Sequence, residues 1–326
     1  MPRSGPRDLV LAPLAIEHVP DAAALVATRV RILRTAVPVV PQSWEDEASV
    51  ARLVLGLAQR GSGIVALRGG TPVGFQAAMF IDGHGGRWAY TPDLGHAASG
   101  TGRARIISEL YASLAEDWVR NACVEHVVTV FADDAETTDA WARLGFGRTV
   151  VDLLRDLSPV AGAAPDPGLT VRRATAADGA AIQVLDQGLR RHLAASPVFL
   201  RIGSAKSPEL QRHELADPLS ATFLGEADGK LVAFLRIGPT ATDVSTIVRD
   251  AGTASITAAF TVRERRGGGV ATALLDSALA WARAAGYVRA AVDHESANGE
   301  AERFWARHFV PVAYSLTRRL APRGGA

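Results

Sequence analysis

One cysteine, Cys123, stands in 326 residues. A framework of intrachain disulfides is thereby excluded, and such usage suits a reducing compartment. An excess of charge of either sign is lacking as well, since 35 Lys and Arg against 34 Asp and Glu leave a formal net charge of +1. Nothing in that balance argues electrostatically for nucleic acid or an anionic membrane as partner. Long apolar runs are missing too. The stretch from Leu9 to Ile16 follows Arg3 and Arg7, but Pro13 interrupts it and Glu17 and His18 close it, which reads as neither a signal peptide nor a membrane span. The expectation is a cytoplasmic chain.

Several chemical motifs are also absent. No Gly-x-Ser-x-Gly elbow offers a hydrolase serine. His213-Glu214 lacks the second histidine of a zinc-protease helix, and Asp82, His84, Asp93 and His96 show no diagnostic ligand spacing. No metal is expected. Aromatics make up only 6% of the chain and methionines number 2; composition alone points to no function.

What is present concentrates between Ser255 and Arg307. A strand, Ser255 to Thr261, leads into the glycine turn Arg263-Glu-Arg-Arg-Gly-Gly-Gly-Val-Ala271 and then an amphipathic helix. Val270, Ala271, Leu274, Leu275, Ala278, Trp281, Ala282 and Ala285 recur at the spacing of a core-facing stripe, and Gly286 stands where a left-handed C-cap belongs. A second strand, Val288 to Asp293, and a helix from Asn298 follow. Glycines at the mouth of a helix leave main-chain N–H groups open to a ligand, and the helix dipole favours an anion there. That is a site for a diphosphate. It is not the phosphate loop, because Ala271-Thr272 stands where Gly-Lys-Ser/Thr is needed, and it fits the dinucleotide fingerprint poorly, because the third glycine is missing.

Arg266-Gly267-Gly268-Gly269-Val270-Ala271-Thr272 resembles the R-x-x-G-x-G/A pyrophosphate signature of the GNAT superfamily of acyl-CoA-dependent N-acyltransferases. Asn298-x-x-Ala301-x-x-Phe304-Trp305 is similar to the family's second signature, on the helix after the fifth strand. The resemblance implies acetyl-CoA or another acyl-CoA as co-substrate, held by Arg266 to Thr272, Asn298 and Trp305, with the main chain of Phe260, Thr261 and Val262 meeting pantetheine where two strands splay apart. It also implies a small-molecule or peptide amine as acceptor. The family often carries a tyrosine at the place of Trp305 to protonate the departing thiolate, which an indole cannot do, and His308-Phe309 is one residue shorter than the usual Leu-Gly-Phe.

The chain before this stretch reads as a duplication. Leu9 to Ile16 is expected as a strand, Asp21 to Arg34 and Ser43 to Gln59 as helices, and Ile64 to Leu67 with Val73 to Ile81 as a hairpin over Gly69-Gly70. Trp88 to Leu94 is a further strand, followed by Gly100-Thr-Gly102, a helix from Ile106 to Ala122, a strand from Val127 to Phe131 and a helix near Thr137 to Leu144. Ser158 to Gly168 is a linker by composition. The order then restarts with Leu169 to Arg173, helices Ala176 to His192 and Pro208 to Leu215, and a hairpin over Asp228-Gly229. Phe75 corresponds to Phe234, and Trp141-Ala-Arg143 to Trp305-Ala-Arg307. The expected fold is α/β, with two tandem GNAT-like domains of mainly antiparallel, splayed sheet flanked by helices. Residues 1–157 form a degenerate first domain without the intact signature, 158–168 a linker, and 169–326 the catalytic domain.

Acyl transfer to an amine requires a polarised thioester carbonyl and a route for the proton. A free main-chain N–H at Thr261 or Val262 can supply the first. The strand from Ser255 to Thr261 holds no carboxylate, so the candidates for the second are Asp293, His294 and Glu295, with Glu264 a further one; satisfying loop backbone and a helix N-cap is an alternative use for the first three. The reading is an N-acetyltransferase acting by direct attack in a ternary complex. A non-catalytic acyl-CoA sensor and an aminoacyl-tRNA-dependent transferase are the alternatives, the latter opposed by the neutral charge balance.

Overall fold

A computed structural model describes residues 9–83, 85–161, 168–200, 203, 207–240 and 244–320. His84 and the linker residues 162–167 lie outside the described residues. In chain order the strands and helices are β1 (Leu9–Pro13), α1 (Val19–Ala36), α2 (Glu47–Arg60), β2 (Gly61–Arg68), β3 (Thr71–Gly83), β4 (Gly86–Thr91), β5 (His96–Ala98), α3 (Arg103–Arg120), β6 (Cys123–Phe131), α4 (Ala135–Arg143) and β7 (Gly147–Asp156). There follow β8 (Leu169–Arg173), α5 (Gly179–Ala194), α6 (Pro208–Ala216), β9 (Ala221–Ala227), β10 (Lys230–Pro239), β11 (Thr253–Thr261), α7 (Val270–Ala284), β12 (Arg289–Glu295), α8 (Gly299–Trp305) and β13 (Val310–Arg319). The fold is mixed α/β with a mostly antiparallel sheet, as the sequence implied. None of the described helices is long and apolar enough to cross a membrane.

Several boundaries differ from the sequence reading for local reasons. Helix α1 starts at Val19 with Pro20 in its first turn, so Asp21 sits inside the helix rather than capping it. Ile16 belongs to a single 3-10 turn and not to β1. Asp46 caps α2 by accepting from the Ser49 amide at 2.9 Å, so the Ser43–Trp44 stretch forms a separate 3-10 turn. The expected strand from Trp88 to Leu94 ends at Thr91, before Pro92.

The chain forms two compact units that are not continuous in sequence: Met1–Val151, Ser245–Ile247 and Pro311–Ala326 make the first, and Asp152–Val244 with Val248–Val310 the second. The boundaries expected at 157 and 169 therefore differ from the units observed, chiefly because the last strand lies with the first unit from Pro311 on. Its alternation buries Val312 and Leu316, and it runs antiparallel to β6, Ala313 opposite Phe131 through Arg319 opposite Glu125. Thr149 on β7 seals its other side, its hydroxyl donating to Ser315 O at 3.1 Å. Alternation says that a strand has a buried face; it does not say which neighbour supplies the ladder.

In the first unit the strands lie in the order β1-β2-β3-β4-β6-β13-β7, with β5 pairing β3. Its core gathers a cluster of rings: Tyr111 meets Trp141 at 5.4 Å and Phe146 at 5.2 Å between ring centres, while Trp118 lies 4.9 Å from His126. Edge-to-face pairs of this kind add to the apolar burial. Asp93, 2% exposed, accepts from the amides of Thr246 and Ile247 at 3.1 and 2.6 Å, which explains why Ser245–Ile247 belongs to this unit. Among the described residues no group of three or more His, Cys, Asp or Glu could hold a metal.

In the second unit the order is β12-β11-β10-β9-β8. Ile182 and Leu185 of α5 pack with Leu224 and Phe234 of the hairpin, and Phe260 of β11 and Val262 just beyond it join them. The duplication is visible inside each unit separately: Phe75 and Phe234 are both 0% exposed, on the second strand of each hairpin.

His126 is fully buried and shares a 2.9 Å hydrogen bond with the Tyr111 hydroxyl through Nδ1. Burial, helped by the Arg318 charge, pushes its pKa down to about 4 from 6.5, and burial lowers His96 in the same direction. Because the unfolded chain takes up the proton first, the stability that neutral His126 contributes is complete above about pH 6.5 and is lost as pH falls toward about 4. Melting temperature should drop across that window, less steeply in His126→Gln; identical slopes in the two proteins would refute the assignment.

Candidate active site

The second unit holds a place where its sheet comes apart. Strand β11 pairs in parallel with β12 over Thr253–Ile256 against Arg289–Val292, and both strands run on past that register, to Thr261 and Glu295. A bulge steers β11: Arg236 of β10 faces Ala258 while Ile237 faces Ile256, so Thr257 is the extra residue. Beyond the bulge the ladder to β10 is regular as far as Thr261.

Alternation then decides which amides are free. The Val262 N–H donates to Val232 O at 2.9 Å, so of the two donors the sequence suggested for the thioester carbonyl, Val262 is committed to β10. Along a strand the polar groups of successive residues point to opposite sides. Those of Thr261 therefore point toward the gap, and its carbonyl accepts there from Arg266 Nε at 3.0 Å.

The chain leaves β11 through a 3-10 turn at Arg263–Arg265 and enters α7 across the three glycines. Gly267 and Gly269 take φ of +80° and +79°, a region costly for any residue with a Cβ. Nothing lies within 4 Å of where a Cβ on Gly267 would stand, so its requirement is conformational rather than steric. Gly269 caps the helix, and the first amide bonded back to it is Ala273, at 3.0 Å. The amides of Val270, Ala271 and Thr272 precede that bond and open onto the helix mouth.

Helix α8 closes the other side. Asn298 Oδ1 accepts from the Ala301 amide at 3.2 Å as its N-cap, and Trp305, 6% exposed, is wedged against Phe304 and Phe309 with ring centres 4.7 and 5.5 Å away. Between these elements lies a cleft of about 480 Å³. It is lined by Phe260, Thr261, Arg266, Gly267, Gly269, Val270, Ala271, Thr272, Asn298 and Trp305, and not by Val262 or Gly268. Arg265, Arg266, Arg303 and Arg307 line it with a single carboxylate, Glu300, so its field suits an anion.

Asp293, His294 and Glu295 are not part of that lining. Asp293 is exposed. His294 is 7% exposed and engages Glu295 O through Nδ1 at 3.0 Å. The Glu295 carboxyl titrates above the usual range because it is partly buried and, secondarily, because Asp293 is near. Two residues that sequence reasoning passed over do line the cleft. Glu300 forms an ion pair with Arg266, and His192, near the end of α5, has Nε2 3.9 Å from Glu300 Oε2. An acidic residue in a first helical turn is ordinary dipole complement, which hid Glu300; His192 had no motif around it.

The first unit repeats the glycine geometry but not its charge. Gly100 and Gly102 have φ of +74° and +81°, and Gly102 caps α3 as Gly269 caps α7. Asp134 caps α4 by accepting from the Thr137 amide at 3.1 Å, as Asn298 caps α8. Here, however, Arg103 at the mouth of α3 is already engaged, bonding both Asp134 oxygens at 3.1 Å and Glu136 at 2.7 Å, and Arg29 adds a contact to Asp134 at 3.3 Å.

A strand pair that diverges beside a glycine-capped helix is the geometry that the resemblance of the sequence implied. Residues 190–309 match the family model described as Acetyltransferase (GNAT) family. Over those residues the chain is similar to that family, and over nearly its whole length its fold is like that of solved GNAT proteins. A GCN5-related N-acetyltransferase from Sphaerobacter thermophilus is similar at 16% identity and TM-score 0.59, over 96% of each chain. A tandem GNAT protein from the clavulanic acid biosynthesis pathway is similar at 18% identity and TM-score 0.50, over 97% of this chain and 100% of that one. At such identities the likeness is one of fold. No curated protein matches the chain.

The Phe260 ring is fixed by a glycine on α5. A Cβ built on Gly188 would stand 2.8 Å from Phe260 Cε1. Gly188→Ala would ordinarily stabilise a helix interior by about 1 kcal/mol. We expect thermal or urea denaturation to show no such gain, because the ring must yield; a full 1 kcal/mol gain would show that the contact is not tight.

Proposed function

We propose that the protein is an acyl-CoA-dependent N-acyltransferase, with acetyl-CoA as donor and a primary amine as acceptor, the amine attacking directly in a ternary complex. The observation that carries this reading is the divergence of β11 from β12 beside a helix mouth whose amides and arginines face one cleft. In this reading Arg266 and the amides from Gly267 to Thr272 hold the diphosphate, the main chain of Phe260 to Val262 runs beside pantetheine, and Asn298 and Trp305 form the facing wall. The Thr261 amide polarises the thioester carbonyl. The amine nitrogen forms the new bond to that carbon, the carbon–sulfur bond breaks, and the sulfur leaves to be protonated from solvent, since the Trp305 indole has no acidic proton to give. His192, on the cleft wall, is placed to take the proton from the amine; Asp293, His294 or Glu295 would act only through water.

Binding without turnover is the second reading, favoured by the wedged Trp305. Thiol release measured over a panel of amines separates the two, because a sensor binds acetyl-CoA and releases thiol with none of them.

The grip itself is tested by calorimetric titration with acetyl-CoA. Gly267→Glu and Gly269→Glu should each weaken binding about a hundredfold or more, by placing a carboxylate and a disfavoured φ where the diphosphate sits, while Asp139→Asn, on α4 of the first unit, should leave affinity within a few-fold. Unchanged affinity in both glycine variants would overturn the reading.

A further inference from the structure

A second cleft, of about 460 Å³, adjoins the first in the same unit. The two share Phe260, His192, Arg266, Asn298 and Glu300, so these side chains form a common wall. In a ternary mechanism the acceptor must reach the reacting carbonyl from a space that opens on the donor's own, and this cleft is such a space. Its size suits a small molecule.

Its charges narrow the class of that molecule. Arg191 and Arg263 line the second cleft and not the first. Among the described residues neither has a hydrogen-bond or ion-pair partner, whereas Arg266 on the shared wall is paired with Glu300. Two unengaged guanidiniums facing one concavity are suited to a carboxylate or phosphate, which their planar forks bind through paired N–H donors. Glu300, on the wall shared with the first cleft, attracts a cation. The two arginines that belong to this cleft alone thus suit an anion, and the shared wall carries a group that suits a cation.

We propose that this second cleft is the acceptor site, and that the acceptor is a small amine carrying an anionic group: the ammonium is drawn to Glu300 and His192 on the shared wall, and the carboxylate or phosphate is received by Arg191 and Arg263. The assignment rests on the acyltransferase reading for its reaction but not for its binding chemistry. A polyamine or a simple alkylamine, having no anionic group, gains nothing from the two arginines.

The test uses the full chain and matched acceptors that differ only in the anion: amino acids against their amides for the carboxylate arm, and O-phosphoethanolamine against ethanolamine for the phosphate arm. With acetyl-CoA and a thiol-release readout, at least one anionic member should show a KM about tenfold or more below its neutral counterpart. The double variant Arg191→Ala, Arg263→Ala should erase that difference without moving the KM for acetyl-CoA. Equal KM values for charged and neutral members would overturn the proposal. So would a double variant that loses acetyl-CoA affinity instead, which would assign the two arginines to a phosphate of the donor. If no acceptor releases thiol, the acyltransferase reading fails and the cleft is judged by calorimetric titration of the same amines into CoA-saturated protein. Binding of the anionic member that the double variant loses sustains the site, and absence of such binding refutes it.

Discussion

The site depends on one limited hydrogen-bond ladder. Strands β11 and β12 pair over four residues on each and then diverge, although an unpaired main-chain group inside a sheet costs about 1–3 kcal/mol when nothing replaces the partner. Two features make the divergence sustainable. The extra residue at Thr257 turns β11 while keeping its other edge on β10, and the Arg266 side chain reaches back to the Thr261 carbonyl left on the open edge. The gap is therefore held by covalent sequence on one side and a guanidinium on the other. A ligand that brings its own amide and carbonyl groups into it completes the ladder that β12 abandons.

The same arginine ties the geometry to the electrostatics. Arg266 bonds Thr261, lies 5.6 Å over the Phe260 ring, and pairs with Glu300. Phe260 in turn occupies the space that Gly188 leaves on α5. A diphosphate arriving at the α7 mouth would compete with one carboxylate for that guanidinium, and the remaining arginines of the cleft outnumber that carboxylate. Glu300 is thus a counter-ion that keeps the cleft from carrying all its positive charge uncompensated, and His192, with Nε2 3.9 Å away, is its second neighbour.

The helix-mouth half of this arrangement was legible from residues because it is local. Gly267 and Gly269 announce positive φ, the apolar stripe of α7 announces its buried face, and Asn298 with Trp305 announces a capped helix; each statement concerns one turn or one face. The rest of the cleft wall was not legible. Asp293, His294 and Glu295 follow a strand and carry acid–base groups, but which residues line a cleft depends on how α5 crosses β11, and nothing near His192 in the sequence encodes that crossing. The last strand misled for a related reason. Val312 and Leu316 mark a buried face correctly, yet pairing with β6, some 180 residues away along the chain, is a choice of partner that alternation leaves open.

The contrast between the two units shows what the glycine turn does by itself. Both helix mouths are built on two residues at φ near +80°, and both neighbouring helices are capped by a side-chain oxygen accepting from an amide three residues on. An oxygen acceptor can be had from Asn or Asp alike, but Asp brings a full negative charge to within reach of the mouth. Burial works against that charge at Asp134; the Thr137 hydrogen bonds, with Arg29 and Arg103, outweigh it and hold the carboxyl below its usual range. An anion approaching α3 would therefore meet Asp134 and Glu136 in place and an arginine already satisfied. At α7 the equivalent cap is neutral, and among the described residues lining the cleft the one carboxylate is Glu300. Backbone shape makes both turns capable of presenting amides, and the capping residue decides whether the negative charge they attract is the protein's own or a ligand's.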